Sequence, residues 1–282
     1  MTSGPCTGAG LGLRPAHLLQ VCAERPAVPW FEVHICNYLG GGLNRALLTG
    51  IGEQYPVSFH GVNLNLGGVE SLDGDYLRLL RQAVDDLQPA LVSEHACFCA
   101  HDGQHFHDLM PIPYTEEAVR HVGARIRQVQ DALGRRILIE NISRYYTYSR
   151  SSLSEAQFLS ALVEETGCAL LLDINNAWVN QCNLGEDVWQ FVSGLPLDSI
   201  GEVHLGGFSI QEGWLIDTHD AEPSAEVWRH FTTFCELQAD IPCLIEWDSG
   251  LPPLASLLGL QQKAEDIMRQ TASHARELAD RA

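Results

Sequence analysis

Residues 168–176 read Cys-Ala-Leu-Leu-Leu-Asp-Ile-Asn-Asn, and this stretch decides the fold. The run from Cys168 to Leu172 does not alternate apolar with polar, so it suits a strand buried on both faces, as in a parallel sheet covered by helices. It then stops on Asp173, a carboxylate that is costly to bury without a partner. The same pattern recurs along the chain. PVSFH covers 56–60, ALVSEH 90–95, RILIE 136–140, IGEVHL 200–205 and CLIEW 243–247. Each is a short apolar run that finishes in or beside a metal-ligand type: His60, His95, Glu140, His204 and Glu246. AGLGL at 9–13 and WFEVH at 30–34 complete a set of eight expected strands.

Helical periodicity fills the intervals, over 16–24, 42–54, 76–87, 115–133, 155–166, 186–195, 225–237 and 254–279. Ser154 and Gln157 form a plausible capping box at the fifth of these. Eight βα units in 282 residues predict an α/β chain with one closed (β/α)8 TIM barrel, a single domain spanning 1–282. No Gly-x-Gly-x-x-Gly follows the first strand, so nothing supports a dinucleotide fold. The longest connections, 61–75 and 96–114, follow the third and fourth strands. They belong to the face where barrels carry their chemistry.

Composition narrows the function. Apolar residues make up 45% of the chain, enough for a large core. No run of 18 uncharged apolar residues occurs, so no membrane span is expected. The start, MTSGPCTGAG, has neither a charged nor an apolar leader region, and a cytoplasmic location is expected. Nine cysteines without a Cys-x-x-Cys pair predict reduced thiols rather than disulfides or a thiolate zinc site; Cys97 and Cys99 read as structural. The net charge of −19 repels a phosphate backbone, so nucleic acid is not an expected partner.

Side chains at the C-terminal ends of parallel barrel strands point into one bowl. Residues far apart in sequence therefore converge there. Asp217 and His219 add an i, i+2 pair that shares a side if the segment is extended. The donor set is imidazole and carboxylate without thiolate, which suits zinc, iron or manganese and not an iron–sulfur cluster.

The string FHG, SEH, IEN, LDxNN, EVHL, DTH and IEWD, with HDLMPIPYTEE at 107–117, resembles the multinuclear non-haem iron oxidative enzymes of the MbnB/TglH family. That family sits in the wider barrel group of xylose isomerase and endonuclease IV. The resemblance runs from about Gly10 to Asp248. It implies two or three iron ions of mixed Fe(II)/Fe(III) valence, with O2 as co-substrate. The implied substrate is a cysteine-containing, ribosomally made precursor peptide, presented by a separate partner protein. A peptide thiolate would bind iron, and activated O2 would take a hydrogen from the Cys β-carbon. By the same resemblance His60, His95 and Glu140 hold one metal. Glu140 bridges to a second, bound also by Asp173, His204 and Glu246, and a third sits with Asp217 and His219. Where the DNA-repair enzymes place a His three residues after the strand-six Asp, this chain has Asn176, a weaker ligand that leaves the third position more open. One departure stands out. After the second strand the family pattern reads His-x-Glu-Asn, and this chain reads His34-Ile35-Cys36-Asn37.

Plainer roles compete for several of these residues. Arg14 or Arg144 is an alternative partner for a buried carboxylate, and Asn176 is also an ordinary turn residue. Glu94 should point away from His95, whereas Glu202 should share the face of His204 lower in the barrel. His101, His105 and His107 read as a solvated loop, with a lid role for His107-Asp108 as the alternative. Tyr145, Tyr146 and Tyr148 read either as a peptide groove or as packing. Competing functions are a divalent-metal hydrolase or isomerase of the endonuclease IV or xylose isomerase kind, and a non-catalytic scaffold stabilised by metal.

Overall fold

The computed structural model describes the backbone of residues 4–279; the side chains at 107, 275, 276, 278 and 279 are outside the described set. Eight parallel strands close into a barrel. They are β1 (Ala9–Gly12), β2 (Phe31–His34), β3 (Val57–His60), β4 (Leu91–His95), β7 (Leu138–Glu140), β8 (Ala169–Asp173), β9 (Ile200–Leu205) and β12 (Cys243–Ile245), with β12 pairing back onto β1. Every expected strand is present, most of them a residue shorter than read.

The two-residue period of each strand sorts its side chains. Val33, Phe59, Val92, Ile139, Leu172, Val203 and Ile245 face the helices and form the main core. Inside, Trp30, Leu244 and Cys6 cluster at the floor, with Leu138, Ala169 and Leu171 as a second apolar group. Gly10 is required here, because a Cβ would run into the buried Trp30 indole. Above the floor comes a polar storey of Glu32, Ser58, Ser93 and Glu202, all buried. The strand ends form the rim.

The helices α3 (Gly74–Leu87), α4 (Glu116–Leu133), α5 (Glu155–Thr166) and α8 (Ala225–Leu237) open on Asp73, Thr115, Ser154 and Ser224, whose side chains each accept a backbone N–H. The Ser154–Gln157 capping box forms as expected. The last helix, α9 (Leu254–Ala279), packs across β1 and β12.

Three elements depart from the expected plan. The connection 96–114 folds into an antiparallel hairpin of β5 (Phe98–His101) and β6 (Gln104–Met110), turning at Asp102-Gly103, both at positive φ. A second hairpin, β10 (Phe208–Gln211) and β11 (Trp214–Asp217), turns at Glu212-Gly213 and ends on Asp217. Asp-Gly is a strong hairpin signal, and its flanks were too polar to read as strands. A helix, α6 (Ile174–Leu184), starts immediately after β8, where no helix was expected. Its Asn-rich sequence has weak helix propensity. The Asp173 cap, which accepts the Asn176 N–H at 2.6 Å, and Gly185 at the other end define it instead. Among the described residues, no helix is long and apolar enough to cross a membrane.

Candidate metal centre

All nine residues expected to ligate metal meet at the rim. His95 Nε2 lies 3.1 Å and His60 Nε2 3.4 Å from Glu140 Oε2. Donor atoms of His60, His95 and Glu140 lie within 4.8 Å of one another. The same holds for Glu140, Asp173 and His204, and for Asp173, His219 and Glu246. These three triads share corners: Glu140 joins the first two and Asp173 the last two. Glu246 Oε2 stands between His204 Nδ1 at 3.0 Å and His219 Nδ1 at 3.3 Å. Asp217 Oδ1 lies 2.9 Å from His219 Nε2, and Asn176 Nδ2 lies 3.5 Å from Glu140 Oε1.

Two ring orientations follow from hydrogen bonding. The Ser93 hydroxyl donates to the Phe59 carbonyl, so its oxygen accepts from His60 Nδ1–H at 2.7 Å. His95 Nδ1–H donates to the Gly61 carbonyl at 3.0 Å. Both rings therefore present Nε2 to Glu140, as a metal requires.

The donor set fits a cluster of cations. Glu140 Oε2, Asp173 Oδ2, Asn176 Oδ1 and His219 Nε2 are buried and make no hydrogen bond. Leaving so many polar atoms unsatisfied in one place is expensive. With protein groups alone, protons take the part of the cations. Burial alone would lower His95, His204 and His219, yet Glu140, Glu32 and Asp217 respectively hold them well above the usual imidazole value. Burial pushes Asp173 well up, with His219 opposing. Glu246, despite burial, is held well below the carboxylate range by His219 and His204.

His219 arrives from outside the barrel strands. Its backbone is left-handed, with φ 43°, in the strained region that side chains rarely adopt. The loop is pinned by His219 N–H to the Gly207 carbonyl at 3.0 Å and by Asp248 N–H to the His219 carbonyl at 2.7 Å. Gly206 and Gly207 make room, since a Cβ on Gly206 would strike the His219 ring and one on Gly207 would strike Ala221. Asp217 is oriented by Asn175 Nδ2 at 2.7 Å and the Ser143 hydroxyl at 3.3 Å, while its N–H donates to the Tyr145 hydroxyl at 3.1 Å.

Three residues at the site, Glu32, His34 and Asp248, went unassigned as ligands or supports. Glu32 and His34 alternate on β2 as Glu202 and His204 do on β9, a signal present in WFEVH. Donor atoms of Glu32, His60 and His204, and of His34, His60 and Glu246, also group within 4.8 Å. Arg14 Nη2 donates to Glu246 Oε1 at 3.1 Å and lies 3.1 Å from His34 Nε2. It also pairs with Asp248, which this guanidinium holds at about 2 although burial and Glu246 push it up. The alternative of arginine pairing thus applies to Glu246 alongside its histidines. Arg144 instead joins Glu155 and Glu186.

Other expectations sort cleanly. Glu94 points outward, accepting Leu64 N–H and its neighbour His95 N–H, each at 2.7 Å. Glu202 is fully buried beneath His204. His101 and His105 are exposed, and His101 pairs with Glu70 at 2.9 Å; the lid reading of His107 lies outside the described residues. Tyr146 and Tyr148 pack edge to face and do not belong to the cavity lining. Cys36, at the departure from the family pattern, is half-buried and outside the cavity lining.

The rim opens into a cavity of about 370 Å3. Val62, Phe106, Leu109 and Ile142 give it apolar walls, and Asp108, Asp217 and Asp248 an acidic mouth. The first hairpin supplies Phe106, Asp108 and Leu109, so it forms part of the wall.

The chain is similar to known proteins at two levels. A UPF0276 protein of Acaryochloris marina is 44% identical over 93% of this chain and 95% of its own length. One from Chromobacterium violaceum is 43% identical over 92% and 94%. Among solved structures, endonuclease IV from Thermus thermophilus superposes with a TM-score of 0.59 at 16% identity, covering 95% of this chain and all of the other. An L-ribulose 3-epimerase gives 0.57 at 14%, covering 98% and 97%. At such identities they show the fold, a xylose isomerase-like (β/α)8 barrel. The family model described as RiPP precursor modification enzyme MbnB/TglH/ChrH matches residues 8–269, and the chain belongs to that family.

Proposed function

We propose that this protein is a multinuclear iron, O2-dependent enzyme that oxidises cysteine in a ribosomally synthesised precursor peptide, with His60, His95, Glu140, Asp173, Asn176, His204, Asp217, His219 and Glu246 as metal ligands. The observation that carries the reading is the run of three donor triads sharing Glu140 and Asp173, each of which presents a buried oxygen, Glu140 Oε2 and Asp173 Oδ2, that makes no hydrogen bond. Shared carboxylates suit neighbouring ions better than separate sites.

Bound iron supplies one-electron chemistry towards O2 and a Lewis-acidic seat for a thiolate. The protein's own groups do the rest. Ser93 and Gly61 fix the rings of His60 and His95. Asn176 brings a neutral amide oxygen, a weaker donor that favours an exchangeable position. Arg14 steadies Glu246 from behind. Val62, Phe106, Leu109 and Ile142 keep water from a bound side chain, and the cavity volume suits one cysteine with its flanking backbone.

Exposed Phe106, Ile210 and Trp214 on the two hairpins support docking of a peptide-presenting protein. All nine cysteines are free thiols, which supports a cytoplasmic setting.

The deciding experiment is anaerobic reconstitution with Fe(II), metal analysis, and O2 uptake with a cysteine-containing precursor peptide. Two or three irons with O2 consumption and an altered peptide mass support the reading. Zinc alone with hydrolytic or epimerase turnover would replace it by a metal hydrolase or isomerase, and substoichiometric metal without turnover by a scaffold.

A further inference from the structure

His204 is approached from two sides. Its Nδ1 faces Glu246 Oε2 at 3.0 Å on the rim, while Nε2 faces downward, 3.3 Å from Glu32 Oε2 and 3.6 Å from Glu202 Oε1. Both lower carboxylates are fully buried. Neither oxygen of Glu202 makes a hydrogen bond, nor does Glu32 Oε1, and His204 Nε2 above them is likewise buried without a hydrogen bond. Glu32 Oε2 has the Ser58 hydroxyl, at 3.4 Å. Register explains the placement. Glu32 lies beside Ser58 where β2 pairs with β3, and Glu202 precedes His204 by two on β9, so both point into the barrel one storey below the rim.

We propose that Glu32 and Glu202 are positioning residues: they accept the Nε2–H of His204 and so turn its Nδ1 lone pair to a metal at the rim, the reverse of the orientation at His60 and His95. The inference rests on the metal-centre reading above. A carboxylate behind an imidazole fixes its tautomer and raises its basicity towards a metal. It also explains why two acids occupy a storey where apolar side chains would pack without the cost of desolvating a charge. Neither residue lines the cavity, so neither is placed to touch substrate.

The test uses the full chain loaded with Zn2+ as a diamagnetic probe and labelled with 15N-histidine. Two-bond 1H–15N correlations separate the two ring nitrogens. The expected result is Nε2–H at His204, with Nδ1 shifted by coordination, against Nδ1–H at His60 and His95. Leu at both positions (Glu32→Leu with Glu202→Leu) should weaken zinc binding at this ligand by about 10–100-fold and abolish the His204 pattern. Gln at both, whose amide oxygens still accept, should keep the tautomer. An Nδ1–H at His204 in the loaded native chain overturns the proposal, as does undiminished zinc affinity in a folded double Leu variant. Should that variant fail to fold by circular dichroism, the native-chain correlation decides alone. A chain that takes up no zinc, iron or manganese sinks the metal-centre reading itself, a result distinct from metal bound with the wrong tautomer.

Discussion

Arg14 grips Glu246 from behind the metal centre: Nη2 donates to Oε1 at 3.1 Å, while Oε2 looks the other way, to His204 and His219. One carboxylate is thereby divided between a permanent cation and a candidate ligand role. Glu246 is almost wholly buried, as is Arg14, so removing the guanidinium strands a charge. Arg14→Met should destabilise the metal-free protein by about 3–5 kcal/mol. A divalent cation should restore part of the loss, because binding to the folded state alone adds about 2.7 kcal/mol at a hundred times Kd. Urea melts with and without Mn2+ measure both numbers. A loss that metal leaves unchanged would show that Glu246 takes no part in binding it.

Glu140 stands in two donor triads at once. Glu140→Ala should therefore cost two metals per chain, with the barrel still folded, as read by elemental analysis after reconstitution and by circular dichroism. The loss of a single metal would mean that Glu140 serves one site only. His60→Ala, outside the second triad, should cost one.

The barrel was legible because its strands are buried on both faces and end on residues with no reason to be apolar. Continuous runs such as ALLLD carry that signal without neighbours. The rim was legible for the same reason, since topology alone brings His60, His95, Glu140, Asp173, His204 and Glu246 together. What stayed illegible depends on long-range pairing. Asp217 and His219 are expected ligands from the Asp-x-His spacing and the family resemblance, but the route by which they reach the rim is not readable: a hairpin folds back and Gly206 leaves room, and neither fact has a local periodicity. Arg14 reaches Glu246 and Asp248 across more than two hundred residues of sequence. Helix α6 rests on one cap at Asp173 and on packing, which outweigh a poor intrinsic propensity.

Remote from the rim, His230 is wedged beside Trp178 and Trp189, with ring centroids 5.6 and 5.8 Å away. Burial, helped by Arg229, lowers its proton affinity below the ordinary imidazole value of 6.5. The unfolded chain then takes up the proton first as pH falls. The stability that His230 contributes is complete above 6.5 and is lost as pH drops through its lower folded value. His230→Phe should flatten this part of the stability profile, so the native-minus-variant difference in Tm shrinks between pH 7.5 and pH 5. Rim histidines titrate in both proteins and cancel in the difference. A difference that does not change with pH would remove His230 from the acid response.

A ligand can also be dislodged without touching it. Gly206 sits against the His219 ring so closely that a Cβ has no space, and His219 already holds a strained left-handed backbone. Gly206→Ala should push the imidazole off its position between Asp217, Asp173 and Glu246. The expected outcome is the metal loss of His219→Ala, one ion per chain, with the barrel intact. Over-packing at a single site costs about 1–3 kcal/mol, too little to unfold a barrel of this size. Metal analysis on both variants, with urea melts beside it, makes the comparison. A Gly206→Ala protein that keeps its full metal complement would mean that the loop yields and that His219 is not held by the close approach of that backbone.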